Sequence, residues 1–184
     1  MNGNMSFRDA LSLRLNIMRP TREQFEKFID LHPVKLTPGI ARLVDALQSN
    51  GTHVYLVSGG FRRIIMKPAK LLGIPPERIY ANELLFDESG EYVGFDISEL
   101  TSDSGSKRVG KAGVCGLLKQ TLKYKHLVMV GDGATDAEAC PPADAFIGFG
   151  GNQVREAVKK SAPWFVYDFQ ELIDEISCPD NLKN

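Results

Sequence analysis

From residue 53 onward the apolar positions fall into short runs: HVYLV at 53–57, HLVMV at 126–130, DAFIGF at 144–149 and WFVY at 164–167. Runs this short read as strands buried on both faces. Helical spacing separates them. A helix is predicted from Thr37-Pro38 to Asn50-Gly51 and another over 61–72, ended by Gly73, in which Pro68 foretells a kink or an early stop. Further helices are predicted over 111–122, in a short stretch after Thr135, from Asn152, and over 168–176. Ile79 to Ala81 adds a strand, and ELLFDESGEYVGFD at 83–96 sets two β-like runs around Glu88-Ser89-Gly90, a hairpin signal expected to decorate the main sheet. Apolar strands alternating with helices predict an α/β fold with a parallel sheet and helices on both faces.

Residues 1–36 stand outside that alternation and are expected to form a partial helical cap on a core spanning 37–177, with 178–184 as a tail. Ser6 with Asp9 and Thr21 with Gln24 have capping-box spacing, so two helices are predicted there, separated at Pro20. Phe7, Ala10, Leu11, Leu15 and Met18 trace the apolar stripe of the first, and Arg14 falls on the same stripe. A cation in that position calls for an anion, or else its stem covers apolar surface while its head reaches water.

At 184 residues and 43% apolar content the chain has about one domain's worth of core. Its 22 basic and 23 acidic residues give a net charge of −1, which supplies no basic field for nucleic acid or an anionic membrane and favours small-molecule partners. Cys115, Cys140 and Cys178 are odd in number and widely spaced, so a disulfide framework or structural zinc is not expected. No apolar run approaches the roughly 18 residues of a membrane span and no secretory signal is visible, so a cytoplasmic location is expected.

The chemistry-bearing residues gather at predicted strand ends. Ligands of open parallel sheets bind beyond the carboxyl ends of strands, and Ser58, Asp132 and Gly148 to Asn152 all lie there. Gly131 and Gly133 open a helix as a dinucleotide loop would, yet the sixth position is Asp136, and carboxylates there would repel a pyrophosphate. Two aspartates at a strand terminus suit a hard cation, Mg²⁺ in particular, with Asp132 the direct ligand and Asp136 binding the metal or orienting its neighbours. Ser58-Gly59-Gly60 offers a hydroxyl and unhindered amides, a natural phosphate cradle. Lys111 opens a helix within a basic cluster that includes Lys107 and Arg108, and its ammonium can neutralise a bound phosphate.

This order, with VSGGF at 57–61, YANELLF at 80–86 and GDGATDAEACPPADAFIGFGGN at 131–152, resembles the haloacid dehalogenase superfamily and, within it, the phosphoserine phosphatase family. The likeness runs from Met1 to about Ile176. It implies a Rossmann-like parallel sheet and Mg²⁺-dependent hydrolysis of O-phospho-L-serine to serine and phosphate, the last step of serine biosynthesis. By the resemblance, Ser58 and the amides of Gly59 and Gly60 bind phosphate. Lys111 balances its charge and orients the nucleophile, Asp132 binds Mg²⁺, Asp136 supports the site and Thr135 contacts substrate. Arg14 matches the cap arginine that pairs with the substrate's carboxylate, and Met1 and Phe7 match apolar residues over the same pocket.

The family's reaction starts from a D-x-D-x-T/V motif whose first aspartate attacks phosphorus and whose second acts as general acid and base. No two aspartates in this sequence are two residues apart; Asp96-Ile97-Ser98 comes nearest. The family's cap glutamate that receives the substrate's amino group also has no match. Near 104–111 the chain carries a few extra residues, and Lys111, which keeps the ungapped spacing to Asp132, is preferred to Lys107. The expectation is therefore a truncated chain lacking the first core strand and inactive alone, with open strand edges that permit a homodimer. The other reading is a non-catalytic protein that binds phosphate or phosphoserine, or associates with another subunit, through Ser58, Lys111, Thr135 and Arg14.

Overall fold

The computed structural model describes residues 5–177. Three parallel strands, β5 (Val128–Gly131), β6 (Ala145–Phe149) and β7 (Trp164–Val166), pair in that order, with Gly131 opposite Gly148 and Gly148 opposite Phe165. Period-two alternation sends the residues of β6 to opposite faces. Phe146 packs with Cys115 of helix α5 (Gly110–Leu122) and Val158 of α7 (Glu156–Ser161). Ile147 and Phe149 pack with Leu43 of α3 (Ile40–Ser49) and with Phe169, Leu172 and Ile173 of α8 (Phe169–Ser177).

A second parallel pair, β1 (Leu56–Phe61) and β2 (Ile79–Asn82), forms its own sheet beneath α4 (Arg62–Leu71). Helix α3 joins the two sheets, because Leu43 enters the β6–β7 core while its neighbour Val44 enters the β1–β2 core. Among the described residues β1 pairs only with β2, and β5 only with β6. Each therefore keeps one edge without a strand partner. On β5, Val128 and Val130 are 49% and 39% exposed. A polar cluster ties the base of β1 to the loop before β5: the Tyr124 hydroxyl lies 2.6 Å from the Tyr55 hydroxyl and 2.6 Å from His53 Nδ1.

The hairpin, β3 (Leu84–Phe86) and β4 (Tyr92–Phe95), is a separate antiparallel sheet. It does not decorate the main sheet. Instead Leu84, Tyr92 and Phe95 form one core with Leu15 of α1 (Phe7–Met18) and with Phe25 and Ile29 of α2 (Arg22–Leu31). Both helices start where the caps place them: Ser6 Oγ accepts from the Asp9 amide, and Thr21 and Gln24 make the reciprocal pair. Arg22 N–H donates to Gly90 O and fixes the hairpin turn against α2.

Several boundaries differ from expectation for identifiable reasons. Helix α3 starts at Ile40, because Gly39 at φ +83° makes a turn that only a left-handed residue allows. Pro68 does not stop α4; it removes one ladder bond near the end, and its own carbonyl accepts from Leu72. Strand β1 starts at Leu56 and continues through Ser58, since His53 and Tyr55 are engaged with Tyr124. Helix α7 starts at Glu156, because Asn152 is occupied in a bond from Nδ2 to Thr37 Oγ1. Met18, at 63% exposure, lies off the stripe that Leu15 centres.

Leu15 is 1% exposed and Ile17 on the same helix 76% exposed. Leu15→Ala should cost about 2–5 kcal/mol in urea unfolding, and Ile17→Ala within about 0.5 kcal/mol of nothing; equal losses would contradict this packing. Burial, with Tyr124's hydrogen bond adding, pushes the Tyr55 phenol from 10.0 up to about 12. A raised folded value means that this contribution is intact below pH 10 and is lost as pH climbs towards 12. Tyr55→Phe should flatten that alkaline decline in stability, and an unaltered decline would count against the cluster.

Candidate active site

The site begins with how Asp136 is held. Strand β5 ends at Gly131, and after Asp132-Gly133 the short helix α6 (Ala134–Ala137) folds back so that Asp136 lies over the strand end, with its side chain 5% exposed. Its Oδ2 accepts from the Gly133 amide at 2.9 Å. Its Oδ1 meets Lys111 Nζ, whose side chain is 19% exposed. This close approach explains the glycine: a Cβ at position 131 would overlap the Asp136 carboxyl group. Lys111 reaches the pair because it is the second residue of α5, and the first, Gly110, lines the same cleft. The amino end of a long helix therefore faces this cleft and favours an anion.

Asp132 behaves differently. Its side chain is 43% exposed at the strand mouth, with Oδ2 3.6 Å from Arg155 Nη2. Sequence reasoning missed Arg155. The available signal was position, since Arg155 is the first basic residue beyond the glycine-rich end of β6. Across the cleft, Ser58-Gly59-Gly60 sits where the β1–β2 ladder breaks: a step of four on β1, Val57 to Phe61, matches a step of two on β2, Tyr80 to Asn82. The loosened stretch is ordered locally, with the Gly60 amide donating to Ser58 Oγ at 3.0 Å.

The cleft is lined by Phe7, Gly59, Thr101, Asp103, Ser104, Gly110, Lys111 and Thr135. It brings together Gly59, Lys111 and Thr135 from three separate segments. Lys107 is exposed; it is Lys111 that reaches Asp136. Arg14 does not join them: it is exposed on α1 and is not among the lining residues. It therefore does not lie on the buried stripe, whose centre is Leu15 one residue on. Met1 lies outside the described residues.

Asp132 fits a hard cation better than Asp136 does. Both Asp136 oxygens already accept hydrogen bonds, whereas Asp132 is half exposed at the strand end, open to a cation that draws its remaining ligands from water and phosphate. Among the described residues no three His, Cys, Asp or Glu side chains cluster as a metal site.

The haloacid dehalogenase-like hydrolase family model matches residues 1–144. Phosphoserine phosphatase of Rattus norvegicus is 49% identical over 176 residues, covering 96% of this chain and 76% of the relative. Chloroplastic phosphoserine phosphatase of Arabidopsis thaliana is 46% identical, covering 96% of this chain and 59% of that protein. Among solved structures, a phosphoserine phosphohydrolase-like protein from Francisella tularensis superposes with a TM-score of 0.79 at 30% identity, covering 95% of this chain and 79% of that one.

The overlap at Gly131 carries a prediction. Gly131→Ala and Asp136→Ala should each lower the unfolding free energy by about 3–5 kcal/mol, because each leaves Lys111 partly buried without its carboxylate. The double variant should cost little more than either single one; additive losses would show that the two positions act separately.

Proposed function

The chain belongs to the haloacid dehalogenase-like hydrolases, and from that membership we propose that it is a phosphoserine phosphatase polypeptide acting on O-phospho-L-serine. What supports the substrate class most is the meeting of Gly59, Lys111 and Thr135 in one cleft at the ends of parallel strands. In this reading Ser58 and the amides of Gly59 and Gly60 hold the phosphate, and Thr135 contacts the substrate. Lys111, oriented by Asp136, balances the phosphate's negative charge. Asp132 would hold Mg²⁺, which when bound supplies positive charge to the phosphoryl oxygens. Arg14 would meet the substrate's carboxylate, and Phe7, which lines the cleft, would cover the same pocket. We assign α1 and α2, residues 1–36, to a cap over the 37–177 core.

None of the 184 residues supplies an Asp-x-Asp pair. The retained groups bind, orient and neutralise a phosphate monoester; attack on phosphorus and protonation of the leaving oxygen need carboxylates that they do not provide. Loss of a nucleophile from a cooperating set costs on the order of 10⁶ in rate. That shortfall also favours a second reading, a phosphate- or phosphoserine-binding protein without turnover. The partnerless edges of β1 and β5 support pairing with a further strand or with a second copy as a homodimer. Free Cys115 and Cys140 fit a reducing cytoplasm.

The 184-residue chain should release no phosphate from O-phospho-L-serine with Mg²⁺; turnover that Asp132→Asn abolishes would overturn this. A peptide bearing the D-x-D-x-T/V strand, added in trans, should raise solubility or restore turnover. Binding of the peptide with neither change would count against a vacant strand position beside β5.

A further inference from the structure

The break in the β1–β2 ladder leaves the Gly59 carbonyl without a strand partner, and a side chain takes that place. Asn82, the last residue of β2 and 0% exposed, donates from Nδ2 to Gly59 O at 2.8 Å. Its Oδ1 accepts from Thr101 Oγ1 at 2.9 Å, and Thr101 is 3% exposed. The amide orientation is fixed chemically, since a carbonyl oxygen only accepts and must face the NH₂ end. We propose that Asn82, held by Thr101, is a positioning residue that aims the Gly60 amide into the anion cradle.

The reason is the geometry of one peptide unit. In a trans peptide the C=O of one residue and the N–H of the next point in opposite directions. Tethering Gly59 O to Asn82 on the buried side turns the Gly60 N–H to the other side, where Ser58 Oγ lies 3.0 Å away. Gly59 and Gly60 lack side chains that could hold this plane, so the tether supplies what their conformational freedom removes. Thr101 also belongs to a segment bound to the first helix. The next residue, Ser102, is 0% exposed and its Oγ accepts from Arg8 Nη2 at 3.0 Å. Asp103 Oδ1 accepts from the Arg8 amide at 3.4 Å. The cradle's orientation is thus linked through residues 101–103 to α1.

The proposal rests on the cradle binding phosphate, and the test separates the two ideas. Inorganic phosphate is titrated with Mg²⁺ into the 184-residue chain by ³¹P NMR, while amide hydrogen exchange is followed at Gly60 and at Ala81 in the neighbouring strand. Asn82→Asp keeps the shape but removes the donor, and should weaken phosphate binding about 10- to 100-fold, the worth of one hydrogen bond to a charged group. Thr101→Val should weaken it in the same direction, and Thr101→Ser, which keeps the hydroxyl, should restore it. In both damaging variants Gly60 exchange should accelerate while Ala81 stays protected. Should Asn82→Asp fail to fold, Thr101→Val against Thr101→Ser decides. If the parent chain binds no phosphate, the cradle's function is refuted, and Gly60 exchange alone decides the positioning role. Folded variants with unchanged phosphate affinity and unchanged Gly60 exchange would overturn the proposal, whatever their melting temperatures.

Discussion

The structure turns on one carboxylate. Asp136 folds back over the end of β5, accepts from the Gly133 amide and meets Lys111 at the start of α5. Removing either partner of such a pair strands a charge at a cost of about 3–5 kcal/mol, so the pair holds α5, β5 and the Asp132 loop in one arrangement. The sequence GDGATD follows from it. Gly131 must lack a side chain where the carboxylate crosses, Gly133 offers its amide, and Asp132 is left at the strand mouth with half its side chain exposed. The same contact that stabilises the loop also aims an ammonium and a helix terminus at the cleft.

Around that contact the fold separates rigid support from adaptable chemistry. Helix α3 binds two parallel sheets together through adjacent residues, Leu43 and Val44, while the polar groups collect where strands end. The first two helices and the hairpin share a core of their own around Leu15. That body reaches the cleft through Phe7, whose ring packs so closely on Gly59 that a Cβ there would come within 2.8 Å of it. Among the described residues β1 and β5 each keep one edge without a strand partner, and the Tyr55–Tyr124–His53 cluster links the base of β1 to the loop before β5.

Local signals carried far into this fold, and long-range packing did not. Capping residues at Ser6 and Thr21 placed two helix starts, because a cap is satisfied within three residues. Asp132, Asp136, Lys111 and Ser58-Gly59-Gly60 stood out as candidates because their spacing relative to strand ends is a local matter. The hairpin's partner was not legible, since Leu84, Tyr92 and Phe95 alternate in the same way whether they face a main sheet or two helices. Arg14 falls on the apolar stripe by periodicity, yet the part of the stripe that packs on the hairpin is Leu15, with Leu11 partly buried beside it. Arg155 and Thr101 escaped notice because their partners lie 23 and 19 residues away in sequence. Asn82, polar at the end of an apolar strand, signalled a need for a partner without naming it.

We propose that one anion site lies between the Ser58–Gly60 amides and the Lys111–Asp136 pair. Anomalous diffraction from crystals of the chain soaked in tungstate with Mg²⁺ tests it most directly. The oxyanion is expected within hydrogen-bonding distance of the Gly60 amide and Lys111 Nζ, and absent in Lys111→Ala crystals. Tungstate bound elsewhere, with that cleft holding only water, would contradict it.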